Sequence, residues 1–176
     1  MYLYCKQQGL TLFELIICIC ILAIITSLAA PHFLQNRRDQ ERRNIFPLLE
    51  QHIKFARNNA ILHHSHVAIC SSKDLQFCQD DQWNNAILVF IDRNNNKIRD
   101  TNELLLQQTT TNLKFGRLKW NGNITHQKII SFQGDTGLNR GALGSFYYCS
   151  LDNPNQHLRF KLGKMAILNQ IPTITC

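Results

Sequence analysis

Residues 10–30 form an unbroken apolar run of 21 residues holding one charged side chain, Glu14. As a helix at 1.5 Å per residue, such a run spans about 30 Å, one hydrocarbon core. It divides the chain into a membrane-length segment and a remainder of about 145 residues, the commonest size for a single domain. The acid needs a reason, because a carboxylate at mid-bilayer costs about 2.5–3.5 kcal/mol. A secretory signal would use Lys6 as its charged region and Ser27-Leu28-Ala29 as its cleavage site, but its apolar part would be too long and would hold an acid. A plain anchor leaves Glu14 unexplained, and the run is too uniformly apolar for a core helix.

Gly9 closes a short N-terminal stretch containing Lys6, Leu10 follows it, Glu14 is the fifth residue after Gly9, and Pro31 is the twenty-second. This arrangement resembles a type IV prepilin leader. The resemblance implies a cut after Gly9 by a prepilin peptidase and methylation of the new N-terminus at Leu10, where the family usually has Phe. Residues 1–9 are then a removed leader, 10–30 a transmembrane and later filament-core helix, and 31–176 a periplasmic globular domain that includes the amphipathic half of the helix. The freed amine of one subunit would meet Glu14 of its neighbour, making the acid a register device neutralised on assembly. The implied partners are other major and minor pilins and, before assembly, the inner membrane. The implied location is a single-pass inner-membrane protein that moves to a pilus on the cell surface. Arg37, Arg38, Arg42 and Arg43 follow the span while only Lys6 precedes it, which by the positive-inside rule would keep the body in the cytoplasm. The leader and the cysteines point outward instead, which leaves these arginines at headgroup level until the subunit is extracted.

Seven cysteines are present: Cys5, Cys18 and Cys20 belong to the N-terminal segment, and the other four are Cys70, Cys78, Cys149 and Cys176. An even number suits two disulfides and an oxidising compartment. Of the three possible pairings, Cys70 with Cys78 and Cys149 with Cys176 close the shortest loops. Zinc is the rival use, but no C-x₂₋₄-C pair occurs among the four.

Beyond the span, Ile45, Leu48, Leu49, Ile53, Ala56 and Ala60 recur at helical spacing and predict an amphipathic helix ending near Leu62, kinked or interrupted at Pro47. Short runs then predict strands at residues 67–70, 86–92, 103–107, 113–118, 128–132, 145–149, 157–162 and 165–168, separated by Asn- and Gly-rich turns. One long N-terminal helix followed by antiparallel strands predicts an α+β fold stapled by disulfides, and the leader resemblance implies that it is pilin-like. Ile69-Cys70, Cys78, Trp83, Phe90-Ile91-Asp92, Glu103-Leu104-Leu105 and "GSFYYC" resemble the FimT/GspH class of minor pilins and pseudopilins.

The chain carries a net charge of +7, and +6 of it lies after residue 103, where eight basic residues face only Asp135 and Asp152. In "HLRFKLGK" the alternation puts Leu158, Phe160 and Leu162 on one face and His157, Arg159 and Lys161 on the other. Phe115, Arg117 and Lys119 also share a face, Lys164 follows Gly163 at a turn, and Arg140 sits in a Gly-rich loop. Such a surface suits several phosphates, as in double-stranded DNA, or simply keeps the protein soluble. The class resemblance implies that some members bind DNA for natural transformation through a Gly-Arg-x-Arg segment. The nearest match is Gly163-Lys164-Met165-Ala166, where Lys supplies a point charge without the guanidinium fork and Ala supplies none. Arg159 and Lys161 are the residues placed to compensate. Two alternatives stay open: a pseudopilin of a type II secretion system, and a pilus-priming subunit without a ligand.

Asp92, Asn94, Asn96, Ile98, Asp100 and Glu103 fall at the spacing of a calcium-binding loop, but Lys97 stands where the turn needs Gly. An Asn-rich hairpin gives the same pattern. His63, His64 and His66 could hold a metal or form a solvated helix end, with no acid or cysteine nearby in sequence to complete a ligand set. No G-x-S-x-G, H-E-x-x-H or Cys–His pattern is visible, "GLNRGALGS" lacks the Lys of a phosphate-binding loop, and no cofactor is implied. No catalytic set is thus visible, and the prepilin resemblance implies a building block, not an enzyme.

Overall fold

The computed structural model describes residues 11–123 and 128–176; Gly9 and Leu10, which the leader reading turns on, lie outside them. Helix α1 runs Leu12–His63. The chain divides into two compact units, Met1–Gln40 and Glu41–Cys176.

In the first unit the described residues are the helix and its cap. Thr11 and Glu14 form a capping box: the Glu14 N–H donates to Thr11 Oγ1 at 3.3 Å, while Glu14 Oε2 accepts from the Thr11 N–H at 2.9 Å and from its hydroxyl at 3.1 Å. Leu12, Phe13, Leu22 and Ile24 are among the exposed apolar side chains, and the helix is long and apolar enough to cross a membrane.

In the second unit Ile45, Leu49, Ile53, Ala56 and Ala60 of the predicted stripe are buried, and Leu48 is half-buried against the same core. Pro47 withholds one intrahelical donor without ending the helix. The helix stops at a left-handed His64 (φ 46°), with the His64 N–H on the Ile61 carbonyl and the Ser65 N–H on that of Ala60. This pair of bonds is the Schellman ending, and it gives "HHSH" a backbone role.

Among the described residues eight strands follow, in two antiparallel sheets. The first has the order β3-β2-β1-β5, with β1 His66–Ser72, β2 Ala86–Asp92, β3 Leu105–Thr110 and β5 Ile129–Phe132. The second has the order β4-β6-β7-β8, with β4 Gly116–Gly122, β6 Gly144–Ser150, β7 Leu158–Leu162 and β8 Leu168–Pro172. The helical stripe and both sheets share one core, which includes Val67, Ile87, Trp83, Trp120, Phe146 and Phe160. Trp83 meets the Phe146 ring edge-on at 5.0 Å. Strand β2 is buried on both faces, because Leu75 and Cys78 of the loop after β1 pack on Leu88, Phe90 and Cys70.

The first seven predicted strands are present with shifted edges, whereas the one expected at 165–168 shares only Leu168 with β8. β4 begins at Gly116, not 113, since the Lys114 and Phe115 N–H groups are bound to the Glu41 carboxylate at 2.8 and 3.1 Å. β3 begins at Leu105, not 103, because Glu103 closes the preceding loop on the Arg93 and Asp100 N–H groups at 2.9 and 3.1 Å. β8 begins at Leu168, not 165. Residues 163–166 are a turn, with the Ala166 N–H on the Gly163 carbonyl and Ala166 at φ 59°.

Candidate nucleic-acid interface

Strand β6 lies between β4 and β7, so residues far apart in sequence stand in rows across the second sheet. One row is Lys119, Tyr147, Arg159; the next is Asn121, Ser145, Lys161. Leu158, Phe160 and Leu162 are buried beneath β7, while Arg159 is half-buried and Lys161 exposed. The alternation in "LRFKL" thus packs one face and leaves the other cationic.

Where β4 ends, β6 begins and β7 ends, this face forms an open groove of about 740 Å³. Arg159, Lys161 and Lys164 line it with Asn121, Asn123, Ser145 and Tyr147, and among the described residues no carboxylate does. Gly144 permits the close approach at its base: a Cβ there would meet the Asn121 carbonyl oxygen at 2.4 Å and the Trp120 ring at 2.6 Å. Arg159 is the most constrained cation. Its Nε donates to Ser145 Oγ at 3.0 Å, and its guanidinium carbon lies 5.5 Å from the Tyr147 ring centre.

The predicted basic residues separate into groups. Arg159, Lys161 and Lys164 meet in the groove, and Arg117 and Lys119 continue its face outside it. Arg140 is elsewhere, close enough to Asp135 to help hold that carboxyl below its usual range, a shift set mainly by the Thr136 hydroxyl. Lys128 pairs with Asp80. In Gly163-Lys164-Met165-Ala166 only Gly163 and Lys164 reach the groove; Ala166 is buried, its N–H also donating to Asn139 Oδ1 at 3.2 Å. Composition did not single out Ser145, Tyr147, Asn121 and Asn123. The period of two in "GSFYYC" carries the signal for the first pair, but only the strand order brings all four together.

Both disulfides pair as expected: Cys70 with Cys78, and Cys149 with Cys176. The second ties the chain end to β6, in the residue paired with Arg117. The Asp92 loop directs its oxygens inward onto its own chain. Asp92 accepts the Asn96 and Lys97 N–H groups, and Asp100 accepts the Asn94 and Asn96 amides. Among the described residues no group of three or more His, Cys, Asp or Glu is placed to hold a metal ion.

The sequence profile described as type II transport protein GspH matches residues 48–163, from the amphipathic helix to the groove. The chain belongs to the GspH family. No curated protein matches it. Among solved structures it resembles the type IV minor pilin FimU of Pseudomonas aeruginosa strain PAO1 in space group P21, at 12% identity and a TM-score of 0.52, over 81% of this chain and 93% of that one. The same pilin in space group P65 gives 11% identity and a TM-score of 0.49, over 76% and 92%. At such identity the likeness concerns the fold, which is pilin-like. Membership of a minor pilin and pseudopilin family makes the chain a structural subunit that associates with other pilins.

Proposed function

We propose that the chain is a minor pilin that, after loss of residues 1–9, enters a pilus through its apolar helix and binds DNA through the groove of the second sheet. The observation that carries the DNA reading is the meeting of Arg159, Lys161 and Lys164 in one groove lined by no carboxylate among the described residues. Phosphates crossing such a groove release counterions, which favours binding at low salt and weakens it as salt rises. Assembly rests on the exposed apolar helix and on Glu14 in its first turn. The capping box lets Glu14 accept hydrogen bonds from Thr11 within one subunit, before a neighbour's amine replaces them.

The test has two arms. The mature chain, by intact mass, begins at Leu10 with a methylated amine. Filaments from cells making the wild-type chain capture labelled duplex DNA, and filaments carrying Arg159→Ala/Lys161→Ala/Lys164→Ala do not. Equal capture by both removes the DNA role; a different N-terminus removes the assembly route. A secretion pseudopilin is the second reading, favoured by the family's own description. It predicts that deleting the gene stops protein secretion and leaves DNA uptake intact.

A further inference from the structure

The groove contains more than a phosphate site requires. Lysines alone supply point charges for a backbone, yet here the central cation is an arginine with two side-chain partners. The Ser145 hydroxyl takes its Nε at 3.0 Å, and the Tyr147 ring lies under the guanidinium at 5.5 Å. Tyr147 and Arg159 are direct cross-strand partners, so the stack is built on two paired strands and not on mobile loops. Asn121 lies one row away, across Ser145 from Lys161. Together with Asn123 it brings side-chain amides, each both donor and acceptor, to the same groove.

We infer that the groove takes a DNA strand with unpaired bases. One base stacks on the Arg159 guanidinium, which is backed by Tyr147, and the adjoining phosphates contact Lys161 and Lys164. This inference deepens the DNA reading above and rests on it. The chemistry separates the two strand forms. A duplex keeps its base faces closed and offers the groove only its backbone, leaving the stack and the amides unused. An unpaired strand offers both a phosphate and a π-face, and a cationic groove with an aromatic or guanidinium platform is the general means of holding it. The groove, at about 740 Å³, is also in the size range of sites that enclose small organic groups, roughly 300–1,000 Å³.

The experiment uses the full-length chain in detergent micelles with its disulfides oxidised. Fluorescence anisotropy measures binding of labelled oligo(dT) and of a duplex of equal length at one salt concentration. The expected result is about tenfold tighter binding of the single strand. Arg159→Lys keeps the charge and loses the plane, and it lowers single-strand affinity about tenfold with duplex affinity unchanged within about twofold. Tyr147→Leu does the same, while Tyr147→Phe retains the preference. Equal or tighter binding of the duplex, or a single-strand preference that survives Arg159→Lys and Tyr147→Leu, overturns the inference and leaves the backbone reading standing. Failure to bind either form overturns the DNA reading itself.

Discussion

The Tyr148 hydroxyl donates to Glu41 Oε1 at 3.0 Å, joining the helix to β6, an inner strand of the second sheet. The same carboxylate accepts the Lys114 and Phe115 N–H groups as the chain enters β4. One helical acid thus fixes the start of β4 and the register of β6, the two strands whose far ends form the groove. Burial raises the Tyr148 phenol pKa well above its ordinary value, and the Glu41 carboxylate raises it further, so the hydroxyl stays a donor. Gly116 completes the arrangement, because a Cβ there would lie 2.2 Å from the Tyr148 ring.

Breaking this junction is expected to cost stability in graded steps. Tyr148→Phe removes one bond to a charged acceptor and costs about 1.5–3 kcal/mol. Glu41→Ala strands three donors and costs more than Tyr148→Phe. Chemical denaturation of the two single variants and the double variant measures the coupling, expected at about 1–2 kcal/mol. A coupling near zero would mean that the bond contributes nothing to the fold.

His52 supplies a pH dependence. It is buried in the helical stripe; its Nδ1–H donates to the Leu48 carbonyl at 2.7 Å, and Nε2 accepts from the Thr109 hydroxyl at 3.0 Å. Burial lowers its pKa, with the Leu48 carbonyl partly opposing the shift. The unfolded chain therefore binds this proton first, near the ordinary value of 6.5. Stability from this site is level above that value and declines as pH falls below it toward the lowered folded pKa, by up to about 1.4 kcal/mol per pH unit. Denaturation midpoints of wild type and His52→Gln, followed from neutral to mildly acid pH, should diverge in slope. Parallel curves would contradict the assignment.

The Cys149–Cys176 bridge closes 27 residues of sequence separation around the β7–β8 hairpin. Chain entropy for a loop of that length gives about 3.5 kcal/mol. Cys149→Ser/Cys176→Ser is expected to lower the unfolding free energy by roughly 3 kcal/mol, read from urea titrations. The hairpin keeps its pairing to β6, so circular dichroism at low temperature should change little.

Much of this architecture was legible in the residues. The stripe from Ile45 to Ala60, the alternation of Leu158, Phe160 and Leu162 with Arg159 and Lys161, and the short disulfide loops each follow from local spacing. The Thr11-to-Glu14 cap was legible too, since T-x-x-E before an apolar run is its signature, although the acid alone drew attention. Glu41 was not, because its partners are 73 to 107 residues away. The groove was only half legible. Its cations follow from composition, but Tyr147 stands beside Arg159, and Ser145 between Asn121 and Lys161, only because β6 inserts between β4 and β7.

Arg140 provides an internal control. It shares the charge of the groove residues but lies beside Asp135, outside the lining. Arg140→Ala is expected to leave duplex affinity unchanged within about twofold, whereas any one of Arg159→Ala, Lys161→Ala or Lys164→Ala weakens duplex binding measurably by removing a contact to the backbone. An equal loss on Arg140→Ala would mean that net charge, not the groove, sets the affinity.

The salt dependence of duplex binding tests the central claim most directly. Plotted as log affinity against log salt concentration, the full-length chain should give a negative slope, which becomes shallower by about 0.9 for each phosphate contact removed. Arg159→Ala/Lys161→Ala/Lys164→Ala should therefore flatten the slope by close to three such steps. An unchanged slope in that variant would contradict the account, because the three cations gathered in the groove would then be making no contact with DNA.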